Sequence, residues 1–232
     1  IITQAFSREG GEVICSEYGF IYYPIVAKVS GAKVVTAKSK DYSISCKNIL
    51  ASISKKTKII FLANPNNPTG TIIMKNELVS FLKKVPQNIL VVVDGAYAEY
   101  VTDLKFSDGL NLTNQFPNLI ITRTFSKIFA LAGLRLGWAY SSEKIIETLE
   151  KIRGPFNVNI VAQTIGSLML KEDNFLKKSI RHNMVWKKKL SAFVNSLGLE
   201  TYETYANFVL IRIDKAKFKK KTLIKKLTEK NI

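Results

Sequence analysis

Five short apolar runs separated by segments of helical length constrain this 232-residue chain more than any other feature. Residues 12–15, 33–36, 58–62, 89–93 and 119–122 are rich in Val, Ile and Leu and too short for helices, so they suit strands buried on both faces. Helix-length segments at 24–29, 46–54 and 75–84 lie between several of them. That rhythm predicts an α/β fold, a mostly parallel central sheet with helices on both faces. Residues 134–140 give a further strand, reached by so short a connection that it is expected to run antiparallel. Helices are expected at 145–153, 158–171, 175–197 and 215–229, with one strand at 207–213. The change of character near residue 155 places a boundary there. Residues 1–155 form the large domain, and 156–232 an interdomain helix and part of a smaller α+β domain whose single strand has little to pair with.

Charge and composition narrow the function. The balance is +17, but only six of the 35 basic residues are arginine. The lysines occur as doublets and triplets such as Lys55-Lys56, Lys83-Lys84, Lys187-Lys188-Lys189 and Lys219-Lys220-Lys221, which are expected to face solvent. Nucleic-acid readout relies heavily on the bidentate arginine fork, so this surface is read as solvated and no nucleic-acid partner is expected. Two cysteines, Cys15 and Cys46, and one histidine, His182, supply no disulfide framework, zinc site or Ser-His-Asp triad. The cysteines are expected to be buried thiols, His182 a surface residue, and Trp138 and Trp186 packing residues. No apolar run reaches about 18 residues, so no membrane span is expected, and a cytoplasmic location is the default.

Ligand sites in parallel sheets lie beyond the carboxyl ends of strands. Four polar clusters fall there: Tyr18; Asn64-Pro65-Asn66-Asn67-Pro68-Thr69-Gly70; Asp94 with Tyr97; and Arg123-Thr124-Phe125-Ser126-Lys127, with Arg135 eight residues past the lysine. A lysine can form a Schiff base with an aldehyde, a carboxylate can keep a pyridine nitrogen protonated, and an arginine with hydroxyls can hold a phosphate dianion. No Walker or G-x-G-x-x-G pattern is present. The inventory therefore suits pyridoxal 5'-phosphate better than a nucleotide.

These segments, with Asp94-Gly95-Ala96-Tyr97-Ala98-Glu99-Tyr100 and the run from Thr122 to Gly137, resemble the successive signatures of fold-type I aminotransferases. Within that group the chain is most similar to histidinol-phosphate aminotransferases. The resemblance implies Lys127 as the cofactor-linked lysine and proton shuttle, and Asp94 as partner of the pyridine nitrogen. It implies Asn67 and Tyr97 on the phenolic oxygen, Tyr18 on the ring face, Thr124, Ser126 and Arg135 on the phosphate, and Asn157 on the substrate side. The implied reaction converts L-histidinol phosphate and 2-oxoglutarate to imidazole-acetol phosphate and L-glutamate. Aromatic aminotransferases and threonine-phosphate decarboxylases are the alternatives on the same scaffold. A homodimer is also implied. Family members are longer at both ends, so an internal fragment is expected. Position 95 is Gly where the family more often has Glu or Ala.

Overall fold

The computed structural model describes residues 1–214 and 219–231. Its centre is a six-stranded sheet of β1 (Glu12–Ser16), β2 (Lys33–Ala37), β3 (Thr57–Ala63), β4 (Leu90–Asp94), β5 (Leu119–Thr124) and β6 (Gly137–Tyr140), in the order β2-β1-β3-β4-β5-β6. The first five strands are parallel and β6 is antiparallel to β5. The six strands expected before residue 155 are all present, each within three residues of its expected bounds.

Period-two alternation explains the two apolar layers. Ile14, Ile60, Leu62, Val91, Val93, Leu119 and Ile121 point to one face, where α3 (Cys46–Ala51) and α4 (Lys75–Leu82) contribute Ile49, Leu78 and Phe81. Val13, Cys15, Ile59, Phe61, Val92 and Ile120 point to the other, against Ala27 of α2 (Tyr22–Val29) and Ile145 and Leu149 of α5 (Glu143–Glu150). The short α1 (Ile2–Phe6) adds Ile2, Ala5 and Phe6 to this second layer. Cys15 and Cys46 are buried, and desolvation pushes both thiols up to about 12. Among the described residues no helix is long and apolar enough to cross a membrane.

Beyond the sheet run α6 (Ile160–Met169), α7 (Asp173–Ser196) and α8 (Lys220–Glu229), with a small antiparallel pair of β7 (Glu200–Thr201) and β8 (Ile211–Arg212). The expected strand at 207–213 thus shrinks to two residues, and it has a partner in β7. Its first half is drawn off the strand path by side-chain packing: Phe208 meets the Tyr97 ring edge-on at 5.2 Å, and the Ala206 carbonyl accepts from Asn183 Nδ2 at 3.1 Å. The helix expected at 46–54 stops at Ala51, and Ser54 instead donates to Glu12 Oε2 at 2.5 Å. Residues 215–218 of the helix expected at 215–229 lie outside the described residues. Two surface expectations also change. Lys187 is half-buried and donates to the Thr204 carbonyl at 2.5 Å, while Trp138 and Trp186 are 38% and 55% exposed rather than packed inside.

This tail closes over the sheet at Gly70. The residue has φ +75°, and a Cβ placed there would lie 2.0 Å from Thr204 Oγ1. The Tyr205 N–H donates to the Gly70 carbonyl at 2.8 Å. Gly70→Ala is therefore expected to cost about 2 kcal/mol or more, from the left-handed backbone and the steric overlap together. Urea unfolding monitored by circular dichroism measures this as a lower midpoint.

Candidate active site

Connections from β1 and β3 leave in opposite directions along the sheet, so the strand order reverses between these neighbours. A crevice opens at such a switch point because no crossover covers it. A cavity of about 390 Å³ lies there, lined after β1 by Phe20 and Tyr23, after β3 by Pro65 and Asn67, after β4 by Asp94, Ala96 and Tyr97, and from β5 onward by Thr122, Arg123, Thr124, Ser126, Lys127, Ala132 and Arg135.

The loop after β3 is held by its own amides. Asn64 exchanges two hydrogen bonds with the Ile73 backbone, at 2.8 and 3.1 Å, and Asn66 Nδ2 donates to Thr69 Oγ1 at 2.7 Å and to the Tyr18 carbonyl at 2.9 Å. The Asn64–Pro65 and Asn67–Pro68 peptide bonds are cis. This frame presents Asn67, whose Nδ2 donates to the Tyr97 hydroxyl at 3.1 Å. An amide and a phenol thus converge where a phenolate-like oxygen could be received.

Asp94 ends β4. Its Oδ1 accepts the Ala96 N–H at 3.1 Å and its Oδ2 accepts the Tyr23 hydroxyl at 2.7 Å. Burial pushes this carboxyl above its ordinary value, and Tyr23, the Ala96 amide, Thr122 and the Arg123 charge pull it back only in part. Arg123 itself is turned under the loop. Its NH2 meets Asp108 Oδ2 at 2.8 Å, and its NH1 meets the Gly95 carbonyl at 3.1 Å and Glu99 Oε1 at 3.4 Å. The departure at position 95 has its reason here, because a Cβ on Gly95 would lie 2.9 Å from Arg123 Nε. Glycine lets the guanidinium press against the backbone that follows Asp94.

Past β5 the chain turns tightly: the Ser126 N–H donates to Thr124 Oγ1 at 3.0 Å and the Leu131 N–H to the Phe125 carbonyl at 3.0 Å. Phe125, Ile128 and Phe129 are buried with Tyr97, Tyr100 and Ala206, which anchors the turn and leaves Lys127 facing the cavity. Lys127 Nζ stands 5.3 Å from the centre of the Tyr97 ring. Arg135 takes a left-handed backbone (φ +57°), and its NH1 donates to the Ala132 carbonyl at 2.7 Å.

One cavity therefore gathers Asn67, Asp94, Tyr97, Thr124, Ser126, Lys127 and Arg135. Tyr18 and Asn157 are not among its lining residues. The Tyr18 ring leans on Tyr42 at 5.2 Å, and Asn157 lies in a separate depression, where it accepts from Arg153 NH1 at 3.2 Å. Tyr23 and Phe20 were not expected in the site, since nothing in an aromatic helix start announces that it will reach a carboxylate 71 residues on. Lys127 also borders a larger cavity of about 740 Å³ beside α7, whose lining includes His182 and Trp186 but neither a carboxylate nor an arginine. The chemistry collects in the smaller one.

The donor set fits a phosphorylated pyridine aldehyde: a carboxylate for the ring nitrogen, an amine for the aldehyde, an amide and a phenol for a ring oxygen, and hydroxyls with an arginine for the phosphate. A parallel sheet with a lysine past one strand end facing a carboxylate on the next defines the large domain of the fold-type I pyridoxal-phosphate enzymes. More narrowly, the chain belongs to the class I and II aminotransferases, whose family model matches residues 1–232. It is 40% identical over 232 residues to the histidinol-phosphate aminotransferase of Pelagibacter ubique, covering 100% of this chain and 64% of that protein. It is 42% identical over 211 residues to the Maricaulis maris enzyme, covering 91% and 58%. The chain thus spans less than two thirds of the length of these relatives. Among solved structures it resembles histidinol-phosphate aminotransferase from Clostridium acetobutylicum (TM-score 0.90, 25% identity, 100% of this chain and 69% of that one). The Sinorhizobium meliloti enzyme, solved with pyridoxal-5'-phosphate, gives a TM-score of 0.88 at 25% identity, with 92% and 58% covered.

Proposed function

We propose that the chain carries the cofactor-binding part of a pyridoxal-phosphate-dependent aminotransferase that moves an amino group between L-histidinol phosphate and 2-oxoglutarate. The observation that carries this reading is the convergence of Lys127, Asp94 and the Asn67–Tyr97 pair on one cavity. The identity to histidinol-phosphate aminotransferases supports the choice of donor.

Bound pyridoxal phosphate supplies an aldehyde on which amines exchange and a ring that takes up electron density. Asp94 holds a proton at the ring nitrogen. Asn67 Nδ2 and the Tyr97 hydroxyl orient the ring oxygen, and Thr124, Ser126 and Arg135 bind the phosphate. Lys127 Nζ would be the amine that holds the aldehyde and, once free, the general base that would remove and return the proton at the substrate Cα. Tyr18 is the candidate for the ring face and Asn157 for the substrate side. A homodimer, a cytoplasmic location and a division into residues 1–155 and 156–232 belong to the same proposal.

The test is a substrate comparison on the full-length protein loaded with cofactor. In keeping with the identity to histidinol-phosphate aminotransferases, L-histidinol phosphate with 2-oxoglutarate is expected to give a kcat/KM at least roughly tenfold above that of aromatic amino acids. A preference for phenylalanine or tyrosine, or carbon dioxide release from threonine phosphate, overturns the choice of donor.

A further inference from the structure

Asp94 is gripped from two sides of the sheet. The Ala96 amide on Oδ1 comes from its own loop, while the Tyr23 hydroxyl on Oδ2 comes from α2, packed on one face of the sheet. Tyr23 has little freedom. It is 6% exposed, its ring stacks on Phe61 with centres 4.6 Å apart and planes 9° from parallel, and Phe20 meets it edge-on at 5.5 Å. In the β3–β4 register Ala63 lies opposite Asp94, and it belongs to the same apolar layer as Tyr23 and Phe61. The small alanine leaves room for the phenol to reach past β3 to the end of β4.

We propose that Tyr23 is a positioning residue for Asp94: its hydroxyl fixes the orientation of the carboxylate and stabilises the anion, so that the ring nitrogen of a bound pyridine cofactor meets an ionised acid. The proposal rests on the cofactor reading above. Burial and the Asp94 charge hold the phenol proton well above its ordinary range, so Tyr23 donates throughout the working pH range. The other groups facing the pair are Thr122 and Arg123 of β5, Cys15 of β1, Tyr97, and Lys127 and Arg135 across the cavity. Arg123 is committed to Asp108, Glu99 and the Gly95 carbonyl, and Cys15 is a neutral thiol, so neither takes over the donor's place. Thr122 also hydrogen-bonds Asp94, from the neighbouring strand, but Tyr23 makes the larger contribution, and Tyr23→Phe removes that proton donor with the ring packing intact.

The full-length protein loaded with pyridoxal phosphate is compared with Tyr23→Phe and Asp94→Asn by pH titration of the cofactor's long-wavelength absorbance and by steady-state kinetics. A weaker hold on the ring nitrogen's proton raises the pH midpoint of that band. Tyr23→Phe is expected to move the midpoint upward, in the direction of the larger Asp94→Asn shift, and to lower kcat about tenfold with little change in KM, the size expected of one hydrogen bond to a charged group. Its melting temperature without cofactor is expected to fall by no more than the loss of one hydrogen bond to a buried carboxyl, because the ring stack on Phe61 is retained. A wild-type midpoint and kcat in Tyr23→Phe, with Asp94→Asn shifted, overturns the positioning role alone. A midpoint unmoved in Asp94→Asn overturns the cofactor reading and the positioning role with it.

Discussion

Lys127→Ala is expected to lower kcat by on the order of 10⁴-fold, because the substitution removes at once the group that exchanges with the substrate amine and the base that moves the Cα proton. The phosphate and ring-oxygen contacts come from other residues, so cofactor binding weakens without disappearing. Borohydride reduction with peptide mapping checks the assignment. Wild type is expected to carry one stoichiometric pyridoxyl adduct on Lys127, and the variant none there. Adducts spread over the surface lysines of wild type would show that Lys127 has no privileged access to the aldehyde. The turn that aims this lysine is built from backbone bonds and buried Phe125, Ile128 and Phe129, so the alanine variant is expected to fold.

Asp94→Asn is expected to separate activity from stability in opposite directions. With no negative charge opposite the ring nitrogen, kcat is expected to fall on the order of 10²- to 10³-fold, comparable to removing one preorganised electrostatic contact. The same change is expected to raise the melting temperature of the cofactor-free protein at pH 7. Burial raises the Asp94 carboxyl above its unfolded value, so the folded state binds the proton more tightly than the unfolded chain, and ionised Asp94 opposes folding at neutral pH. Asparagine removes that opposition while its amide can still engage Tyr23 and the Ala96 N–H. The advantage is expected to shrink as pH falls through the raised Asp94 value, where wild type protonates and the two side chains become alike in charge. A melting temperature lower than wild type across this range would refute the burial argument. Stability given up to keep a charge in a cavity is a common signature of a functional site.

Much of this protein could be read from its sequence, because its strands are local apolar runs and its site residues sit just past them. The Asp94, Asn67, Lys127 and Arg135 clusters are each within a few residues of a strand end, and a parallel sheet brings such ends together whatever the details of packing. The glycine at position 95, a departure in sequence, became intelligible only when Arg123 was found pressed against it. Of the small β7–β8 pair, β8 lies within the strand expected at 207–213, but its partner β7 was missed because a two-residue strand carries too little pattern to stand out; Phe208 and Ala206 serve the packing against Tyr97 and α7 instead of the sheet.

What the amino-acid order determined by itself was the α/β rhythm, the antiparallel sixth strand, the family and the group of side chains able to hold a phosphorylated pyridine, since each depends on neighbours in the chain. Only the tertiary structure decided which side chains support that group. Tyr23 reaches Asp94 across a distance of 71 residues, Arg123 borders the cavity but commits its guanidinium to Asp108 and Glu99, Tyr18 rests against Tyr42 and Asn157 against Arg153. Those choices depend on the room left by Ala63 and Gly95 and on which face of the sheet each helix covers. Space and burial are properties of the packed whole, and no local stretch of sequence encodes them.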